Sequence, residues 1–343
     1  MSYQLLTHES PQGPRGAVHI DGQVYDIADV TGNSSIVSVL DALKQWETIR
    51  PLLERFAAAP EPSKVLAKAL SEVKLLAPNP NPGSIFCAGG AYNDHGGEMD
   101  NALNMKPAPT LKERGEPPFF FMKNATGVCG PGSTTTLDAH VTQGDWEVEL
   151  VVVIGQRAKD VPEEEALGYV AGFTVGNDLS QREHVRRNNL SPGEPFLFDW
   201  FAQKCFDGSC PTGPWIVPVN QIKDLQNLSL KLWVGDELMQ DTSTRHMILS
   251  VQEQVAALSR QITLYPGDMI MTGTGGGVGL GRGRFLQRGE TVRASVEGSL
   301  KCIKLKAMFA KYSNCGQLAF SRSYGAANGQ LVRPEVEKMA AKG

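Results

Sequence analysis

Long apolar runs are missing from this chain: none approaches the roughly 18 consecutive apolar residues of a membrane span. Charge of one sign is also missing. With 33 Lys and Arg against 37 Asp and Glu the net charge is -4, too even to form a footprint for nucleic acid or an anionic membrane. Cysteine is sparse. The six, at 87, 129, 205, 210, 302 and 315, form no Cys-x-x-Cys pair and no zinc-like spacing, which predicts free thiols in a reducing compartment. The N-terminal residues lack a basic segment followed by an apolar one, so the expected address is cytoplasmic. A Gly-Lys-Ser/Thr phosphate loop is absent as well, arguing against a nucleotide cofactor.

What is present divides near Pro78-Asn-Pro-Asn-Pro-Gly83, a segment that can continue neither a helix nor a central strand. Residues 1–77 are expected to form a small α+β domain and 78–343 a larger one. In the first, Asp21-Gly22 between β-rich runs predicts a hairpin. Helical spacing then runs from Ser35 to Ala58, with Ser34 or Ser35 as N-cap and Pro51 as a break or a new first turn, and a second short amphipathic stretch covers Ser63 to Val73. In the second, strands dominate: Ser84–Ala88, Phe119–Met122, Glu147–Ile154, Tyr169–Val175, Leu228–Val234, Met269–Thr272 and Thr291–Val296. One helical patch, Ile248–Ser259, interrupts them. The class is β-rich α+β rather than alternating βαβ. Residues 96–118 are polar and without period, the composition of a lid or binding loop.

Glu147-Val-Glu149, on the brink of the apolar run Leu150–Ile154, is the chemically oddest feature. Alternation along a strand points both carboxylates to one face, about 6–7 Å apart, and Trp146, Val148 and Leu150 to the other. Two such charges need water or a bridging hard cation. Asn177-Asp178 offers a third oxygen ligand and Arg182 a guanidinium nearby, while the lack of convergent His or Cys argues against zinc or copper. His95 and Glu98, at i and i+3 after a glycine pair, suit a base dyad if that turn is helical. Lys123 ends an apolar strand, and Lys204 precedes a Pro/Gly corner. The glycines of Thr272-Gly-Thr274-Gly-Gly-Gly-Val-Gly279 do not open a helix in a βαβ unit; a backbone-amide nest that receives an anionic oxygen suits them better.

In order and spacing these pieces resemble the fumarylacetoacetate hydrolase family over roughly residues 74 to 304. The resemblance rests on Leu75-Leu-Ala-Pro78, Tyr-x-x-His-x-x-Glu at 92–98, Phe-x-Lys at 121–123, Asp-Trp-Glu-x-Glu-Leu at 145–150 and Asn-Asp-x-Ser-x-Arg at 177–182. It continues through Lys-x-Phe-Asp and Gly-Pro-Trp at 204–215 to Pro-Gly-Asp-x-Ile-x-Thr-Gly-Thr at 266–274. It implies a mixed β-sandwich roll, a homodimer, and Mg2+ or Mn2+ (Ca2+ in some members) on Glu147, Glu149 and Asp178. It also implies catalytic roles for His95, Glu98 and Lys123, and substrate contacts from Tyr92, Arg182, Lys204, Gly273 and Thr274. The implied reaction is catabolic hydrolysis of a C–C bond in an acylpyruvate-like 2,4-dioxo acid through a metal-stabilised enolate. Decarboxylation, hydration and sugar-acid dehydration are alternatives at the same site, and a metal-binding paralogue without activity is a further one. This chain departs from the family at Ala91, Leu179 and Gly275, and residues 305–343 match nothing in it.

Overall fold

The computed structural model describes residues 2–60, 65–102, 106, 108–137 and 141–296. The extension at 305–343, Cys302, Cys315 and the start of the Ser63 stretch lie outside them. The chain begins with β1 (Gln4–His8), β2 (Arg15–Ile20) and β3 (Gln23–Asp26), an antiparallel meander. Its hairpin turns at Asp21 (φ 46°) and Gly22 (φ 83°), the paired positive φ that a two-residue turn needs. Helices α1 (Ile27–Thr31), α2 (Val39–Lys44) and α3 (Trp46–Ala58) follow.

Two local expectations are corrected. The cap of α2 is Ser38, closed into a capping box with Asp41, and the helix breaks at Gln45 rather than at Pro51. Gln45 has φ -122°, outside the helical well, whereas Pro51 sits in the second turn of α3 and forfeits only one backbone bond. The stretch expected to be amphipathic and helical before Val73 is instead β4 (Ala67–Ala69), which pairs with β3, and a 3-10 turn at Leu70–Glu72.

Beyond the Pro-rich link come β5 (Ile85–Gly89), α4 (Asn93–Ala102), β6 (Phe119–Lys123), β7 (Val128–Cys129), β8 (Gly144–Asp145), β9 (Val148–Ile154), β10 (Val170–Asn177) and β11 (Ser180–Gln181). They lead to α5 (Trp200–Lys204), β12 (Cys210–Pro218), β13 (Ser229–Val234), β14 (Glu237–Ser243), α6 (Val251–Gln261), β15 (Met269–Thr274), α7 (Gly279–Arg282) and β16 (Val292–Val296). The main sheet runs β4-β3-β2-β1-β12-β10-β9-β15-β5-β6, and a smaller one β14-β13-β16. Residues 1–77 therefore supply four strands at one end of a continuous sheet, joined where Leu5 faces Ile216. The class is α+β and sheet-rich. No helix among the described residues is long and apolar enough to cross a membrane.

β9 explains why the sheet is thick on both sides. Val148, Leu150, Val152 and Ile154 face a core shared with β13, β16 and α6, while Val151 and Val153 face one shared with α2, α3 and β1. The first core draws its side chains from Phe86 to Val296 and the second from Tyr3 to Met271, and together they make the strand buried on both faces and apolar throughout its second half. The strand's second residue, Glu149, is a carboxylate, and Glu147 lies one residue ahead of its start.

Candidate metal and proton-transfer site

Glu147 and Glu149 are buried, at 5% and 2% exposure, so the wet polar edge that an isolated Glu-x-Glu allows is not formed. The backbone that positions them is held by side chains from afar. Asn177 Oδ1 accepts from Glu147 N at 2.9 Å, Asp178 N donates to Glu147 O at 2.9 Å, and Gln240 Oε1 accepts from Val148 N at 2.9 Å. Opposite Glu149, the β15–β9 register slips between Met271 and Thr274. Gly273 occupies the slip with φ 92°, where a Cβ would fall 2.7 Å from that of Ala91, and its N–H reaches Glu149 Oε2 at 2.8 Å. Only glycine fits that conformation and that space.

One ligand oxygen each from Glu147, Glu149 and Asp178 lies within 4.8 Å of the others. Lys204 Nζ bridges Glu147 Oε2 and Asp178 Oδ2, 2.6 Å from each, and Lys123 Nζ meets Asp178 Oδ1 at 2.6 Å. Arg182 donates to Asp145 Oδ2 at 2.7 Å and Glu147 Oε1 at 2.5 Å. Four carboxylates thus face three cations, one negative charge in excess. The excess falls on Glu149, whose one hydrogen bond among the described residues comes from Gly273 N. Burial, then the charges of Asp178 and Glu147, push its carboxyl well above the usual range. Glu147 is opposite: burial works to raise it, but Lys204 and Arg182 outweigh that and bring it to about 2. Three buried hard oxygens, one of them short of positive charge, fit a hard divalent cation.

The triad lines a cavity of about 410 Å3 together with His95, Arg182, Lys204 and Thr274. Other expected residues stand behind its wall. Glu98 does not line it; its Oε2 is 3.9 Å from His95 Nδ1, an ion-pair distance and not a hydrogen bond, and accepts from Gly277 N at 2.8 Å and Val278 N at 3.3 Å. Burial would raise the Glu98 carboxyl, but His95 and those amides hold it below the ordinary range. Lys123, expected at an oxyanion, is sealed against Asp178 and Leu179 O and does not line the cavity, so it holds the Asp178 carboxylate. Tyr92 is fully buried against Ala88 and Ala91, and Gly273 acts through Glu149. Arg182, expected to take a substrate carboxylate, is occupied by Asp145 and Glu147. The amide nest does receive anionic oxygens, but they are the protein's own: Gly277 and Val278 bind Glu98, while Gly279 and Leu280 bind Asp145. A short helix does start at Gly279, against expectation, because Asp145 satisfies its first amides.

Sequence reasoning missed the rest of the cavity wall: Gln143, Val185, Arg186, Phe198, Trp200 and Gln203. Val185, Arg186 and Phe198 belong to an excursion between β11 and α5 that shows no hydrophobic period, Trp200 and Gln203 lie on α5, and Gln143 immediately precedes β8. The segment expected to be a lid is partly helix, since α4 extends from Asn93 to Ala102 across Gly96-Gly97. Thr242 Oγ1 on Asp94 Oδ2 at 2.5 Å and the amides on Glu98 hold α4 where its glycines disfavour it.

A family model described as fumarylacetoacetate (FAA) hydrolase C-terminal matches residues 84–304. The bovine protein named oxaloacetate tautomerase FAHD2B, mitochondrial, is 36% identical over 263 residues, 76% of each chain. The human oxaloacetate tautomerase FAHD2A, mitochondrial, is 36% identical over 258 residues, 74% of this chain and 75% of that one. Among solved structures, a fumarylacetoacetate hydrolase from Exiguobacterium antarcticum superposes with a TM-score of 0.69 at 28% identity, covering 90% of this chain and 100% of that one. Maleylpyruvate hydrolase from Sphingobium sp. SYK-6, in complex with manganese(II) and pyruvate, gives 0.67 at 25% identity and the same coverage. The mitochondrial names overturn the cytoplasmic expectation. Its basis was too narrow, because lack of an apolar secretory signal says nothing about mitochondrial leaders, which are amphipathic and Arg-rich.

Proposed function

This chain belongs to the fumarylacetoacetate hydrolase family, and from that premise we propose that it interconverts the keto and enol forms of a 2-oxo acid such as oxaloacetate. The observation that carries this reading is that His95 and the Glu147, Glu149 and Asp178 triad face one cavity. Mg2+ or Mn2+ held by those three carboxylates would supply Lewis-acid stabilisation to the 2-oxo and carboxylate oxygens of the substrate. In the keto-to-enol direction His95 takes the proton from C3 and delivers it to the C2 oxygen, and in the reverse direction it takes the proton from that oxygen and returns it to C3. Glu98, fixed by Gly277 and Val278, stands 3.9 Å from His95 Nδ1 and serves to orient the imidazole. Lys123 and Lys204 hold the carboxylates in register, and the apolar faces of Phe121 and Leu280 limit water around the reacting carbon. The curated relatives named oxaloacetate tautomerase support this over other reactions.

C–C hydrolysis of an acylpyruvate is the second reading. It draws support from the same His95–Glu98 pair, which could activate water, and from the likeness to maleylpyruvate hydrolase. Two assays separate them: loss of the enol absorbance of oxaloacetate, and release of pyruvate from acetylpyruvate, each with Mg2+ and with Mn2+. The tautomerase reading expects the first to dominate and His95→Ala to lower it on the order of 100-fold or more. Full tautomerisation by the His95→Ala protein would remove the base assigned here, and pyruvate release as the faster reaction would favour hydrolysis. A homodimer is the assembly carried over from the family, to be checked by light scattering.

A further inference from the structure

Three lysine and arginine side chains line the cavity, and two are spent. Arg182 is held by Asp145 and Glu147, and Lys204 by Glu147 and Asp178. Arg186 is not: among the described residues it has no acidic partner, although its neighbour Arg187 pairs with Asp199 at 2.7 Å. Arg186 is nonetheless placed. Its guanidinium carbon lies 5.2 Å from the centroid of the Phe198 ring, and the backbones of Arg186 and Phe198 form a β-bridge. The flanking bonds Arg187 N to Leu197 O at 2.9 Å and Asp199 N to Val185 O at 3.0 Å pin both arms of the excursion. Arg186 is exposed, so it stands at the cavity mouth, with the buried triad at the floor. A second observation points the same way. Gln203 lines the same cavity at 1% exposure, and its Oε1 has no hydrogen-bond partner. An amide in such a place awaits a polar group from a ligand, and either end of it can be turned inward.

We propose that Arg186 reads a second carboxylate at the far end of the substrate, with Gln203 beside its path, so that the site selects 2-oxo diacids over 2-oxo monoacids. The proposal rests on the 2-oxo acid reading of the floor. A guanidinium stacked on an aromatic ring keeps its donor edge free and planar, which suits a carboxylate approaching in two-point fashion. The near carboxylate of the substrate belongs to the floor, where the metal ligands are, which leaves the mouth to the far one.

The test compares Arg186→Leu and Arg186→Lys with the native enzyme in Mg2+. C3 proton exchange is followed by NMR in deuterated buffer for oxaloacetate and for 2-oxobutyrate, which has the same chain length without the far carboxylate. In the leucine variant the diacid-to-monoacid preference in kcat/KM should fall about tenfold, the worth of one charged hydrogen bond, mainly through KM for the diacid. The lysine variant should recover part of it. Equal losses on both acids, or no loss, overturn the proposal. A binding arm separates its failure from failure of the enolisation reading: calorimetry with malate, which carries the far carboxylate, and oxalate, which fills the floor alone. If the native protein exchanges neither acid, the enolisation reading fails, and the malate-to-oxalate affinity ratio decides on Arg186. That ratio should fall about tenfold in the leucine variant; an unchanged ratio refutes the role.

Discussion

At the outer end of the long sheet, one polar pair joins β1 to β3: the His8 ring sits 2.9 Å from Asp26 Oδ1, with Arg15 at 3.4 Å from the other oxygen. At the site end, β9 and the residues after β10 gather four carboxylates and three cations with almost no access to water. Asp26 keeps 19% of its side chain exposed, so solvent can replace a lost partner, whereas Lys123 and Asp178 keep 0% and 1%. The same chemical pairing is therefore a stability device in one place and a liability accepted for function in the other. Burying charge costs several kcal/mol per ion, and only partners recover it.

The largest effect expected from this contrast is at Lys123. Replacement by Met leaves Asp178 with Lys204 alone, a cation it shares with Glu147, and should lower the unfolding free energy by about 3–5 kcal/mol in urea titration of the metal-free protein. A loss no greater than that of an exposed ion pair, about 1 kcal/mol or less, would erase the distinction between the two ends. Next comes Glu149→Gln, which removes the excess negative charge. The metal-free variant should melt higher than the native protein, and Mn2+ should no longer raise its melting temperature. In the native protein saturation at about 100 times Kd adds about 2.7 kcal/mol. An undiminished Mn2+ shift in the variant would take Glu149 out of the ligand set.

The smallest effect belongs to Asp26. Its hydrogen bond to His8 holds the carboxyl below the ordinary aspartate range, against burial, with charge attraction from His8, Lys68 and Arg15 adding to it. A lowered folded-state value means that the stabilisation is complete above the unfolded pKa of about 3.9 and disappears as pH falls through the folded one. Asp26→Asn should thus cost about 1 kcal/mol at pH 6, with the gap between variant and native melting temperatures closing in more acid solution. A gap that stays constant with pH would assign the effect to packing.

Strand period alone placed Glu147 and Glu149 together on one face of β9, and the apolar run that follows them announced a doubly buried strand. Local pattern offered Asp178 as a third ligand and His95 with Glu98 as a dyad at i and i+3, but resemblance was needed to bring these separate stretches to Glu147 and Glu149, because no local pattern links them. The supports were illegible for a different reason. Asp145, Asn177 and Gln240 work by side-chain bonds to distant backbone, and an Asn or Gln in a strand looks the same whether or not such a bond forms. Helix α4 was hidden by two glycines, and its anchors Thr242 and Gly277 lie far along the chain. The mouth residues Arg186 and Phe198 occupy a stretch where solvent, rather than a core, faces most side chains.

The glycine-rich run after β15 has the composition by which phosphate-binding loops are commonly sought, yet four of its successive amides are already engaged by Glu98 and Asp145. A phosphate arriving there would have to displace carboxylates that are tethered to the same molecule and never diffuse away. Selectivity against the cell's nucleotides is in this way built in permanently, as an internal competitor at fixed and very high local concentration.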